Sequence, residues 1–182
     1  MSAFSVFKLM HEFTLTHEQK QQVLARTRYF IDQANSLMSL SLEEISVAFD
    51  LKGKSSGMFV VKHEQLCIRY NEMIFSAYFE DSLNNTVAHE VAHYVVFSIW
   101  GLKKVKPHGN EWKQVMSMFG VRPEVTSDYD ISHIPLNQQR RFEYACACTT
   151  HQLSTTRHNK VQKRSAVYSC RQCRQPLKLV LA

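Results

Sequence analysis

Apolar residues recur along this chain at two different periods, and the alternation between them sets out the elements. Val23, Phe30, Ala34 and Leu37 share one side of a 3.6-residue repeat. Leu15-Thr16-His17-Glu18-Gln19 in front of them reads as a capping box with a leading hydrophobic residue, so a helix is predicted from His17 to about Met38, its apolar side resting on a sheet. Three short strands are predicted over 45–51, 57–61 and 66–70, with Lys52-Gly53-Lys54-Ser55-Ser56-Gly57 and His63-Glu64-Gln65 as the turns. Cys67 falls in the third strand and is expected in the core. Residues 81–100, DSLNNTVAHEVAHYVVFSIW, contain neither Pro nor Gly, offer Asp81 or Ser82 as N-cap, and stop at Gly101. Val87, Val91, Tyr94, Val95 and Ile99 give this helix a face to bury. A shorter helix follows from Asn110 to Phe119 and ends at Gly120. Helices packed on a small antiparallel sheet, an α+β arrangement, are the expected core.

The second helix carries the most specific chemistry. Residues 89–93 read His-Glu-Val-Ala-His. Four residues apart on a helix, His89 and His93 project from one face, the spacing that places two imidazole nitrogens on one zinc ion. Glu90 then lies beside the open coordination position as a candidate general base. Two partly buried histidines on an amphipathic helix would share this spacing but leave the adjacent acid unexplained. A catalytic zinc usually has three protein ligands and a water. In LKKVKPHGNEW, His108 sits between rigid Pro107 and permissive Gly109, in a loop suited to return a side chain to the metal. Glu111 is its rival for the third position, and His133 is a further candidate.

Length and composition narrow the class. The 182 residues suffice for one good core and a small appendage, and 45% hydrophobic with 21% charged residues excludes disorder as the default. MSAFSVFKLMHEF lacks the basic and continuous apolar regions of a signal peptide, and the apolar stretch over 91–100 is too short for a bilayer. A soluble, cytoplasmic, monomeric protein without a membrane partner is expected. In that compartment the five cysteines read as metal ligands or core thiols rather than disulfides. The net charge of +6 is uneven: residues 134–182 hold nine Arg and Lys against Glu143 alone, leaving the rest of the chain slightly acidic. A polyanion-binding surface is therefore expected at that end.

From about Arg140 the cysteines cluster. Cys170 and Cys173 form a C-x-x-C knuckle, and Cys146 and Cys148 a C-x-C pair with His151 close behind. Two such pairs about twenty residues apart make a zinc ribbon in which metal staples a segment too short for its own core. Cys170 and Cys173 would be members, completed by two of Cys146, Cys148 and His151. The segment 153–164 between them reads as a hairpin whose turn, lined by Arg157, Lys160, Lys163 and Arg164, can engage phosphates without reading sequence. Phe142 and Tyr168 could stack on bases, although aromatics beside zinc knuckles more often pack the mini-core.

Together, HEVAH at 89–93, PHGNEW at 107–112 and the tail from Tyr144 to Cys173 resemble the SprT family of zinc-dependent proteases, whose eukaryotic relatives include Spartan, which removes proteins crosslinked to DNA. The resemblance implies a zincin-like α+β metalloprotease domain over 1–139 and a basic zinc-ribbon-like domain over 140–182. It implies His89, His93 and His108 as ligands of a catalytic Zn2+, Glu90 as catalytic acid/base, and a second, structural Zn2+ in the ribbon. The C-x-C spacing departs from a standard ribbon half. Peptide-bond hydrolysis by a metal-activated water on a DNA-associated protein substrate is the expected function. The rivals are a DNA-binding zinc protein with a non-catalytic or vestigial site, and an amidase acting on small substrates. Tyr94, Tyr129 and His133 are candidates for stabilising an oxyanion.

Overall fold

A computed structural model describes residues 13–63, 65–101, 104–136 and 140–180. The chain divides into two compact units, Met1–Leu136 and Asn137–Ala182. The expectations for the stretch before Phe13, for Glu64 in its turn and for the boundary at residue 139 lie outside the described residues.

In the first unit, helix α1 spans His17–Met38. The Thr16 hydroxyl accepts from the Gln19 N–H at 3.1 Å while the Gln19 side chain accepts from the Thr16 N–H at 2.9 Å, which satisfies two of the donors a helix start leaves orphaned. Val23, Phe30 and Ala34 are buried, whereas Leu37, expected beside them, is 53% exposed. The helix packs chiefly on another helix, α4, rather than on the sheet as expected.

Strands β1 (Ser46–Ala48), β2 (Gly57–Lys62) and β3 (Gln65–Tyr70) form a sheet in the order β1-β3-β2. The β2–β3 hairpin is antiparallel, but β1 runs parallel to β3, with Ser46 opposite Cys67. The sheet is mixed, not antiparallel as expected. The loop after β1 carries the chain to the far edge, so β3 returns between the two. That loop is held on the end of β3: Leu51 N–H donates to the Tyr70 carbonyl at 3.1 Å, and Asn71 Nδ2 donates to the Gly53 carbonyl at 2.8 Å. Cys67, expected in the core, is only half-buried.

Helix α2 (Glu72–Ala77) is capped by Asn71 and was not foreseen in the pattern. A continuous helical run follows: α3 (Phe79–Asp81), a π-helical segment Ser82–Thr86, and α4 (Val87–Trp100). Asp81 and Ser82, expected as N-caps, therefore lie inside a helix. The Asp81 carboxylate instead accepts from the Tyr129 hydroxyl and from Asn85 Nδ2. The run ends at Gly101, whose φ of 74° suits a residue without Cβ. Val87, Val91 and Val95 are fully buried, each contributing about 1.5–3 kcal/mol by transfer from water, while Ile99 turns out 37% exposed. Helix α5 (Asn110–Met118) packs on α4 and stops before Gly120. The core thus surrounds α4, which meets α1, α5 and β2.

In the second unit, β4 (Arg141–Ala145) is flanked by β5 (Thr150–Ser154) and β6 (Lys178–Leu179), both antiparallel to it. Residues expected to form a hairpin turn are instead helix α6 (Thr155–Gln162), whose start is capped by Ser154. Each unit is mixed α and β. Among the described residues no helix is long and apolar enough to cross a membrane.

Candidate metal centre

Helix α4 projects His89 and His93 one turn apart, and the loop before α5 brings His108 to them. His108 has a φ of 56°, a left-handed conformation that turns the chain directly after Pro107. The three Nε2 atoms form a triangle with sides of 3.2, 3.0 and 3.0 Å. Tetrahedral zinc with bonds of about 2.0–2.1 Å separates its nitrogen ligands by about 3.3 Å, so the donor set fits one such ion. Burial first, and the neighbouring imidazoles after it, lower the His89 pKa to about 4 and that of His93 to about 3. His108 is lowered by burial as well. Neutral rings with free lone pairs are the metal-binding form. Glu111 and His133, the rival third ligands, do not belong to this group. His133 is exposed, with its ring set against Phe13 and Tyr78.

Trp112 of the PHGNEW element supports the triangle. It is 1% exposed, its ring lies 4.7 Å from His89, 5.7 Å from His93 and 4.7 Å from His108, and its Nε1–H donates to the His89 carbonyl at 3.3 Å. Main-chain atoms of Glu124 form a further hydrogen-bond partner of His89. Sequence reasoning missed both supports. The Trp112 signal was present, because a residue four positions after His108 on a helix start is placed to underlie it.

Glu90 is 5% exposed, and its Oε2 accepts from the Phe59 N–H of β2 at 2.7 Å. Burial raises its pKa to about 7, with the Phe59 N–H opposing the shift. His89, Glu90, His93 and His108 line one cleft of about 1100 Å³ together with Met58, Phe59 and Tyr129. Of the three oxyanion candidates, only Tyr129 lines this cleft; the Tyr94 hydroxyl donates to the Glu43 carbonyl at 3.1 Å. Tyr129 stacks on Tyr78 at 4.3 Å, and burial raises its pKa to about 12.

The second unit gathers Cys146, Cys148, Cys170 and Cys173, all four sulfurs lying within 4.8 Å of one another. Cys146 and Cys148 are 3.5 Å apart, and Cys148 and Cys170 3.7 Å, close to the separation of about 3.8 Å between thiolates on tetrahedral zinc. Main-chain N–H groups of the knuckles lower the Cys146 and Cys170 pKa values, whereas neighbouring thiols raise that of Cys148. This set can hold a metal ion. His151 Nε2 sits 3.3 Å from the Cys146 sulfur, outside the four.

Arg157, Lys160, Lys163 and Arg164 are all exposed, and none has an ion-pair partner among the described residues. Arg157 and Lys160 lie on α6, whereas Lys163 and Arg164 follow its end, Arg164 with a φ of 54°. The aromatic faces nearby are engaged internally: Phe142 stacks on His158 at 3.6 Å and carries the Arg140 guanidinium at 4.8 Å, while Arg157 covers Tyr168 at 5.6 Å.

The sequence model of the SprT-like family matches residues 20–133, which include the whole histidine triangle. The chain belongs to the SprT-like family. Among its SprT-like relatives, Protein SprT of Vibrio parahaemolyticus is 38% identical over 133 residues, covering 72% of this chain and 76% of the relative. Protein SprT of Escherichia coli O157:H7 is 33% identical over 87% of this chain and 92% of its own. Protein SprT of Actinobacillus succinogenes is 29% identical, with coverage of 94% and 97%. The SprT likeness to this third protein thus extends into the cysteine-bearing second unit. No solved structure matches the chain.

Proposed function

We propose that this SprT-like chain is a zinc-dependent metalloprotease with a zincin-like first unit that hydrolyses peptide bonds in DNA-associated proteins. The observation that carries this reading is the three-imidazole triangle opening into the same cleft as the Glu90 carboxylate. Zinc bound there would supply Lewis acidity towards a carbonyl oxygen and make a water molecule more acidic. His89, His93 and His108 would hold the ion through their clustered Nε2 atoms. Glu90, with Oε2 held by the Phe59 N–H, would accept the proton of the attacking water and return it to the departing amine.

The four-cysteine group is read as a second, structural zinc site. Gathering four of five thiols in one metal-type cluster supports a reducing, cytoplasmic setting. The unpaired cations of α6 and its end support DNA contact through phosphates, and the internally stacked aromatics favour that over base stacking. Those same cations favour a second reading, a DNA-binding zinc protein without turnover.

The test measures bound zinc and cleavage of a DNA-bound protein, with and without DNA, for the native chain and for Glu90→Gln. The native chain is expected to cleave, and Glu90→Gln to retain its zinc and lose cleavage. Equal cleavage by the variant removes Glu90 from its role, and zinc-bound native chain that cleaves nothing leaves the second reading.

A further inference from the structure

Gly57 opens strand β2 directly after the loop, a position where the sequence pattern accounts for it as a turn residue. Its backbone does not need glycine for that reason, since Gly57 is not among the residues with positive φ. What the position lacks is room. A Cβ built there would lie 2.7 Å from Glu90 Cγ, 2.7 Å from Glu90 Oε1 and 3.0 Å from Glu90 Cδ. Side-chain carbons do not approach one another so closely. A glycine inside a strand often marks such a close approach.

Two residues along, the Phe59 N–H donates to Glu90 Oε2 at 2.7 Å. Among the described residues strand β2 is an edge strand, paired with β3, and both positions contact Glu90 on α4. The carboxylate is therefore held at two points: one oxygen by a main-chain donor, the other against a bare α-carbon. It has little alternative space, being 5% exposed.

We infer that Gly57 is a positioning residue for Glu90: its missing side chain, with the Phe59 N–H, forms a cradle that fixes the carboxylate in the cleft. The inference rests on the reading of Glu90 as the proton-transferring group. A Cβ at position 57 leaves the carboxylate no room where it lies, so it must shift at the expense of its bond to the Phe59 N–H. The three atoms nearest that Cβ position all belong to Glu90, so the change acts first on the carboxylate.

The test uses the zinc-loaded full-length chain as Gly57→Ala, Glu90→Ala and the double variant. With a quenched fluorogenic peptide, Gly57→Ala is expected to lower kcat about 100-fold, the scale of an ångström-sized misplacement, with KM changed little. Zinc affinity, read by competition with a chromogenic chelator, is expected to be unchanged. The thermal midpoint should fall for Gly57→Ala in the native background and stay level when the same change is made in Glu90→Ala, where the new methyl occupies vacated space. Gly57→Ala that folds only together with Glu90→Ala is the extreme form of that result. An equal loss of midpoint in both backgrounds, or an unchanged kcat, overturns the inference. A native chain that cleaves no peptide removes the protease reading, and the midpoint cycle then decides by itself whether the cradle exists.

Discussion

Replacing Trp112 separates support of the metal site from filling of the core. The indole is 1% exposed and touches all three imidazoles. Trp112→Ala would cost about 3–5 kcal/mol, a large share of the roughly 5–15 kcal/mol that holds a domain folded, so it tests too much at once. Trp112→Phe keeps a ring but removes the Nε1–H bond to the His89 carbonyl, worth about 1 kcal/mol, and part of the packed surface, worth about 1–2 kcal/mol. The apo chain is expected to lose about 2–3 kcal/mol in urea unfolding on those terms. Groups that orient metal ligands are worth about 10–100-fold in affinity, so zinc should also stabilise the variant by about 1.4–2.7 kcal/mol less than it stabilises the native chain. Chelator competition and paired unfolding curves, with and without zinc, measure both quantities. Zinc affinity equal to the native value within about twofold, alongside a lowered apo stability, would reduce Trp112 to a space-filler and refute its supporting role.

Two further outcomes follow from the second unit. Cys170→Ser should lower bound zinc from two equivalents per chain to one, as counted by elemental analysis, with the histidine-held ion retained; two equivalents in the variant would exclude the four-cysteine site. Changing Arg157, Lys160, Lys163 and Arg164 to Gln should flatten the dependence of log K for DNA on log salt by about 3–4, each lost phosphate contact contributing about 0.9. Fluorescence anisotropy across a salt series reads this, and an unaltered slope would locate the contact elsewhere.

The features that could be read from sequence are those fixed by neighbours in the chain. Thr16 and Gln19 close their capping box across three residues, so α1 was legible to its ends. His89, Glu90 and His93 owe their common setting to one helix, and the face of Val87, Val91 and Val95 shows in the periodicity. Features missed depend on longer-range contacts or on weak local signals. The parallel pairing of Ser46 with Cys67 is decided by where the loop over 49–56 is anchored, through Leu51, Gly53 and Asn71. Helix α6 has no buried residue to produce an apolar stripe, so only Ser154 at its cap could have signalled it. The approach of Glu90 to Gly57 joins residues 33 positions apart, which no spacing rule reaches.

The π segment Ser82–Thr86 has its own consequence for the alignment of faces along the helical run. Its closing bond, from the Val87 N–H to the Ser82 carbonyl, encloses one residue more than an α-turn does. Since each residue advances an α-helix by about 100°, the angular phase before the segment is offset from that after it. Asp81 can thereby reach Tyr129 while His89 and His93 keep their own direction. Deleting one residue here would restore regular winding yet swing one portion around the axis relative to the other, so chain length in this short stretch is as constrained as residue identity.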